Sequence, residues 1–116
     1  MKGSQQMHVL IVNFELSGVA DAEYRQQVES IAPMFAQVPG LVSKIWLADP
    51  ATNTYGGVYL FTDASSREAY LDSEIIKSMK ANPNFTNVTM REFGTAEEAT
   101  AITGGPLATD PVMMRR

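Results

Sequence analysis

The stretch from Pro39 to Asp63, PGLVSKIWLADPATNTYGGVYLFTD, decides the fold. LVSKIWLAD and YGGVYLFTD are rich in β-branched and aromatic residues, as strands are. Between them, Pro50 to Thr54 is turn chemistry: Pro50 fixes φ, and Asn53 can hydrogen-bond its own backbone. A period of two then assigns the faces. Leu41, Ser43, Ile45 and Leu47 share one face of the first strand, and Val42, Lys44, Trp46 and Ala48 the other. On the second strand Tyr55, Gly57, Tyr59 and Phe61 alternate with Gly56, Val58, Leu60 and Thr62. The only Trp of the chain is here, with two of its four Tyr. The hairpin is expected to form the sheet centre and the wall of any pocket.

Working outward, Met7 to Glu15 (MHVLIVNFE) reads as a strand, with His8, Leu10, Val12 and Phe14 on one face and Val9, Ile11 and Asn13 on the other. Both faces are largely apolar, so both are expected to be covered. Tyr24, Val28, Ile31, Phe35 and Val38 recur at spacings of four and three, which predicts an amphipathic helix over residues 21–38. Asp21 is its expected N-cap, Pro33 kinks it and Pro39-Gly40 stops it. After the hairpin, Ser65 and Glu68 have capping-box spacing, and Leu71, Ile75 and Met79 supply the stripe of a second helix over 65–81. Residues 85–93 (FTNVTMREF) form the fourth strand. Thr95 and Glu98 suggest a short helix over 95–102. The order β-α-β-β-α-β predicts a ferredoxin-like α+β fold with a four-stranded antiparallel sheet. Two helices cover one face of such a sheet. The economical cover for the other is a second copy of the chain.

Length and composition bound the function. A chain of 116 residues holds one domain. The expected organisation is a flexible extension over residues 1–6, a barrel-forming domain over 7–103 and a tail over 104–116. Met7 is a second candidate start. The tail has too few apolar side chains to order itself, so it is expected to be free or laid on a partner. With a net charge of −4, no nucleic-acid partner is expected. With no Cys and a single His, thiolate chemistry and a His-cluster metal site are not expected. The N-terminus has no apolar signal core, and no apolar run approaches a membrane span; a cytoplasmic location and no membrane partner are the expectations.

PGLVSKIW, followed by GGVYLFTD and then SREAYL, resembles the small monooxygenases of the dimeric α+β barrel superfamily, relatives of the antibiotic-biosynthesis monooxygenases. Pro39, Gly40, Lys44, Trp46, Gly56, Gly57, Tyr59, Leu60, Phe61, Thr62 and Asp63 carry the resemblance, which covers roughly residues 7–95. It implies a homodimer joined sheet to sheet, with a pocket between each sheet and its helices. It also implies oxidation of an aromatic or phenolic small molecule by O₂ with no cofactor. Such chemistry needs a group that helps the phenol ionise, donors for the oxyanion and a dry aromatic cavity.

The candidate catalytic residues are Asn13, Trp46 and His8. Trp46 would stack on a flat substrate or, equally, pack a core or dimer interface. His8 is the side chain whose ordinary pKa lies nearest neutrality, and also a common kind of structural residue at a strand start. Asn13 would orient a carbonyl or O₂, or cap the strand end. The candidate substrate-binding residues are Tyr59, Lys44, Tyr55, Phe61 and Phe14. Lys44 would stabilise a phenolate or, more simply, pair with Glu92 or Glu15 across the sheet. Phe61 and Phe14 also read as plain core. Gly56-Gly57 marks a bulge or a close backbone approach, not a nucleotide loop. Two further readings stand beside the oxygenase: a non-catalytic dimeric barrel for a small apolar ligand or a partner protein, and a haem degrader using His8 or Asn13.

Overall fold

The computed structural model describes residues 6–105. In chain order it contains β1 (His8–Leu16), α1 (Asp21–Phe35), β2 (Leu41–Asp49), β3 (Thr54–Phe61), α2 (Ala64–Leu71), α3 (Glu74–Ala81), β4 (Phe85–Gly94) and α4 (Glu97–Ile102). The strands form one antiparallel sheet in the order β2-β3-β1-β4. This is the expected ferredoxin-like β-α-β-β-α-β arrangement. The hairpin is not its centre, however: β2 is an edge strand, and β3 and β1 are the inner pair. The expectations for residues 1–5 and for the tail from residue 106 lie outside the described residues.

The alternation read from sequence sets the layers. Leu10, Val12 and Phe14 of β1 and Tyr55, Tyr59 and Phe61 of β3 are buried against Tyr24 and Phe35 of α1, Tyr70 of α2 and Ile76 of α3. The other sheet face carries Val9, Ile11, Ile45, Val58, Leu60 and Phe93, with Ile45 60% and Phe93 42% exposed. Helices α1, α2 and α3 all contribute buried residues to the core cluster on the first face. No described helix is long and apolar enough to cross a membrane.

Bulges re-aim two residues that a strict period of two misplaces. The β1–β4 register shifts between Asn13 and Glu15, and Asn87 takes a left-handed φ of 54° opposite it. Phe85 thereby turns onto the core face and stacks on Phe14, with ring centres 4.3 Å apart. A second shift between Leu41 and Ser43 lets Leu41 pack against the core.

The second helix is two helices. Asp72 and Ser73 break the predicted 65–81 segment, because the Ser73 side chain caps a new start by accepting from the Ile76 N–H. Ser65 and Glu68 do not form a capping box; Asp63 caps α2, accepting from the Ser66 N–H at 2.8 Å. Ala20, not Asp21, is the N-cap position of α1, and Asp21 begins the helix. Pro33 lies in its last turn, and α1 ends at Phe35 rather than at residue 38. The short C-terminal helix begins at Glu97, after Ala96 and without a side-chain cap bond.

Candidate active site

A cavity of about 590 Å³ lies between the sheet and helices α1 and α3. Phe14, Trp46, Lys44 and Tyr59 wall it from the sheet, and Tyr24, Met34 and Phe35 from α1. Tyr70 of α2, Ile75 and Met79 of α3 and Phe85 of β4 complete its apolar lining. Gln27, Ser30, Glu74, Ser78 and Asn82 add the polar part of its lining. The walls are therefore mostly aromatic and aliphatic with a few polar groups, the usual make-up of a small-molecule site.

Lys44 is the one cation among the described lining residues. It stands on β2 with Trp46 one pleat along on the same face, and Gly57 of β3 lies directly across from Trp46. Because Gly57 has no side chain, the Lys44 stem has room to fold over the sheet; a Cβ there would come within 2.7 Å of Lys44 Cε. Lys44 Nζ lies 3.3 Å from the centre of the Trp46 ring, 3.7 Å from that of Phe35 and 4.5 Å from that of Tyr59. Trp46 and Phe35 meet edge to face, so the amine sits in a corner of aromatic faces. No carboxylate pairs with it among the described residues. The expected cross-strand partners are occupied elsewhere: Glu92 lies 3.1 Å from Arg67 Nε, and Glu15 accepts from Asn87. Neither of their strands adjoins β2: β3 lies between it and Glu15 on β1, and both β3 and β1 lie between it and Glu92 on β4. Loss of water pushes the Lys44 amine down to about 7. The ring faces favour its charged form and oppose that shift.

The tyrosines are pushed the other way. Burial raises Tyr24 and Tyr70 to about 12 and raises Tyr59 further still. All three stay protonated at neutral pH. Tyr59 and Tyr70 share a hydrogen bond of 2.9 Å between their hydroxyls.

Of the residues singled out from sequence, Trp46, Tyr59, Lys44 and Phe14 line the cavity, and the others do not. Asn13 lies on the opposite face of the sheet, where its amide donates to the Tyr55 carbonyl at 3.3 Å. His8 sits on the helix-covered face beside α2, its Nδ1 accepting from Arg67 at 2.9 Å. Arg67 Nε, though near Glu92, is out of line for a hydrogen bond. The Tyr55 hydroxyl donates to Asp21 Oδ1 at 2.7 Å and ties β3 to α1. Together with Arg25 it holds the Asp21 carboxyl below its usual range. Phe61 is fully buried core. Sequence reasoning missed Tyr70, Tyr24 and Phe35 as cavity residues. All three lie on or beside the apolar stripes of their helices, so the stripe was the available signal.

The sequence pattern of the family described as "Putative mono-oxygenase ydhR" matches residues 9–106. No curated protein matches the chain. The fold is similar to that of NE2512, a protein of unknown function from Nitrosomonas europaea, at 20% identity and a TM-score of 0.66, over 81% of this chain and 93% of that one. It is also similar to SnoaB, a cofactor-independent oxygenase from Streptomyces nogalater, at 20% identity and a TM-score of 0.61, over 78% and 93% of the two chains. A third likeness is to MhuD, a heme-degrader from Mycobacterium tuberculosis whose structure holds two hemes in its active site, at 20% identity and a TM-score of 0.62, over 77% and 95%. At these identities the likeness is one of fold.

Proposed function

The chain belongs to this mono-oxygenase family, and from that premise we propose that it oxidises a phenolic aromatic small molecule with O₂ in the cavity beneath β2 and β3, using no flavin, metal or nicotinamide. The observation that carries this reading is Lys44: an amine at the wall of an aromatic cavity, over the Trp46 and Phe35 rings and in no ion pair among the described residues, with burial pushing it down to about 7. A neutral amine there can take the phenol proton. The resulting ammonium then holds the phenolate oxygen in a medium where that attraction is strong. The phenolate passes one electron to O₂, and the radical pair closes a C–O bond at a ring carbon that bears hydrogen. The Lys44 ammonium returns its proton to the peroxide, and loss of water leaves a carbonyl. One oxygen atom ends in the quinone and the other in water, so no external reductant is needed. Trp46 and Phe35 offer faces against which the ring can lie.

The test is oxygen uptake by the purified protein with hydroxylated bicyclic and tricyclic aromatics. Turnover is expected with O₂ alone, unaffected by chelator or by added flavin. Uptake that appears only with flavin or a metal, or that stops on chelation, would sink the proposal.

The same reading extends to assembly. Val9, Ile11, Ile45, Val58, Leu60 and Phe93 make an apolar face outside the core cluster, with Ile45 and Phe93 exposed. A second copy packed face to face would bury them, with a total interface of roughly 2,000 Å² or more. Ile45 and Val58 are cross-strand neighbours, so a Lys at both positions places two charges together in that interface. Sedimentation at micromolar concentration is expected to show a dimer for the natural chain and a monomer for the Ile45→Lys/Val58→Lys variant. A monomeric natural chain would remove the assembly.

A further inference from the structure

The Tyr59–Tyr70 pair has a proton to spare. Two phenolic hydroxyls carry two protons, and the bond between them uses one. Tyr70 donates to Tyr59 in the arrangement described here, which leaves the Tyr59 O–H free. If the two hydroxyls rotate, the free proton passes to Tyr70, but one always remains. Neither hydroxyl has another hydrogen-bond acceptor among the described residues. Both side chains are only 3% exposed, and both line the cavity. Burial keeps both protonated through the physiological range. A buried donor without a partner is costly, and a donor that already accepts from a neighbour is a stronger donor.

We infer that this pair is a subsite for an acceptor oxygen: the substrate carries a ring carbonyl for the spare tyrosine proton, in addition to the hydroxyl that meets Lys44. This rests on the reading of the cavity as a phenol site, and it narrows the substrate class from phenols to hydroxyaryl ketones. The amine lies 4.5 Å from the centre of the Tyr59 ring. The substrate proposed is a fused bicyclic molecule with one oxygen on each ring, one for each group. A hydrocarbon ring in place of the ketone would displace water from the tyrosine pair and return no hydrogen bond.

The test compares 6-hydroxy-1-tetralone with 5,6,7,8-tetrahydro-2-naphthol, which has the same two rings and phenol but lacks the carbonyl oxygen. Binding is read anaerobically by calorimetry, so turnover plays no part. The natural chain is expected to prefer the ketone by at least tenfold, because the ketone also makes the phenol more acidic toward Lys44. Tyr59→Phe/Tyr70→Phe keeps both rings and removes both hydroxyls. It should weaken ketone binding about three- to tenfold, the size of one hydrogen bond, and should not weaken the naphthol, which no longer strips water from the pair. Each single variant keeps one hydroxyl and should fall between. Far-ultraviolet circular dichroism and melting temperature confirm that the variants are folded. An unchanged preference in the double variant, equal affinities in the natural chain, or no binding of either compound would overturn the subsite. If the preference holds and follows the tyrosines but no oxygen is consumed, the oxygenase reading fails and this one stands.

Discussion

Lys44→Met is expected to lower kcat/KM for a phenolic substrate by about 10²–10⁴, the usual contribution of a positioned general base. Met keeps the length and packing of the stem against Phe35 and Trp46 while removing the amine. The pH profile should identify the acting form. The neutral amine is the base, so the rate is expected to rise through about pH 7 and then level off. The Lys44→Met remnant should lose that limb. Activity within fivefold of the natural protein would reject Lys44 as the base.

The same depressed pKa makes a prediction about stability, with a definite sign. In the unfolded chain Lys44 stays protonated up to its ordinary 10.5; in the folded chain it gives up its proton at about 7. Between these values the unfolded state binds the extra proton, so stability rises with pH, by about 1.4 kcal/mol per unit. Below pH 7 both states are charged and the full burial penalty is felt. Above 10.5 both are neutral and it is gone. Urea titrations at pH 7 and 9 should therefore show the natural chain gaining about 2–3 kcal/mol relative to Lys44→Met. This range avoids the tyrosines, whose unfolded forms ionise near 10. Parallel behaviour of the two proteins would mean that the amine remains charged in the cavity.

Why the sequence pointed to Lys44 but misjudged its surroundings is a matter of strand order. A period of two places Lys44 and Trp46 on one face whatever the sheet looks like. Which strand lies beside β2 is a tertiary choice that local pattern does not encode. Pairing with Glu92 on β4 required neighbouring strands, and two strands intervene. The same limit applies to Asn13 and His8. Their faces on β1 were legible, but Asn13 turns away from the cavity, and His8 meets Arg67 through a contact 59 residues distant. Helix stripes revealed that Tyr24 and Phe35 face the core, not that the core there is hollow. Tyr70 was obscured further by the break at Asp72-Ser73, where a side-chain cap overrides a periodic stripe that runs through both helices. Phe85 changed faces because of one left-handed Asn, a conformation that residue type permits without announcing.

Gly56 and Gly57 were legible as a place of close backbone approach, and they separate fold from function. Gly56 sits on an inner strand, paired to Asn13 on one side and Leu47 on the other. Its φ is +141°, and a Cβ would run into the Val12 carbonyl. The obstacle is backbone held in the sheet, so it cannot step aside. Strain of about 1–3 kcal/mol from the dihedral adds to a similar cost of overpacking. Gly56→Ala is accordingly expected to lose at least about 3 kcal/mol, a fall in Tm of more than about 10 °C for a domain of this size. Gly57 has no such dihedral, and its nearest neighbour is the far end of a flexible side chain, Lys44 Cε. Gly57→Ala should stay within about 1 kcal/mol of the natural chain, since that stem can move. What it moves is the amine, away from the Trp46 and Phe35 faces and toward water. The activity should fall, and its pH midpoint should shift upward as Lys44 regains solvent. Melting curves and kcat/KM profiles of the two variants decide the matter. A Gly56→Ala protein melting within 3 °C of the natural chain would contradict the close approach to Val12. A Gly57→Ala protein with unchanged pH midpoint would show that Lys44 does not depend on the space this glycine leaves.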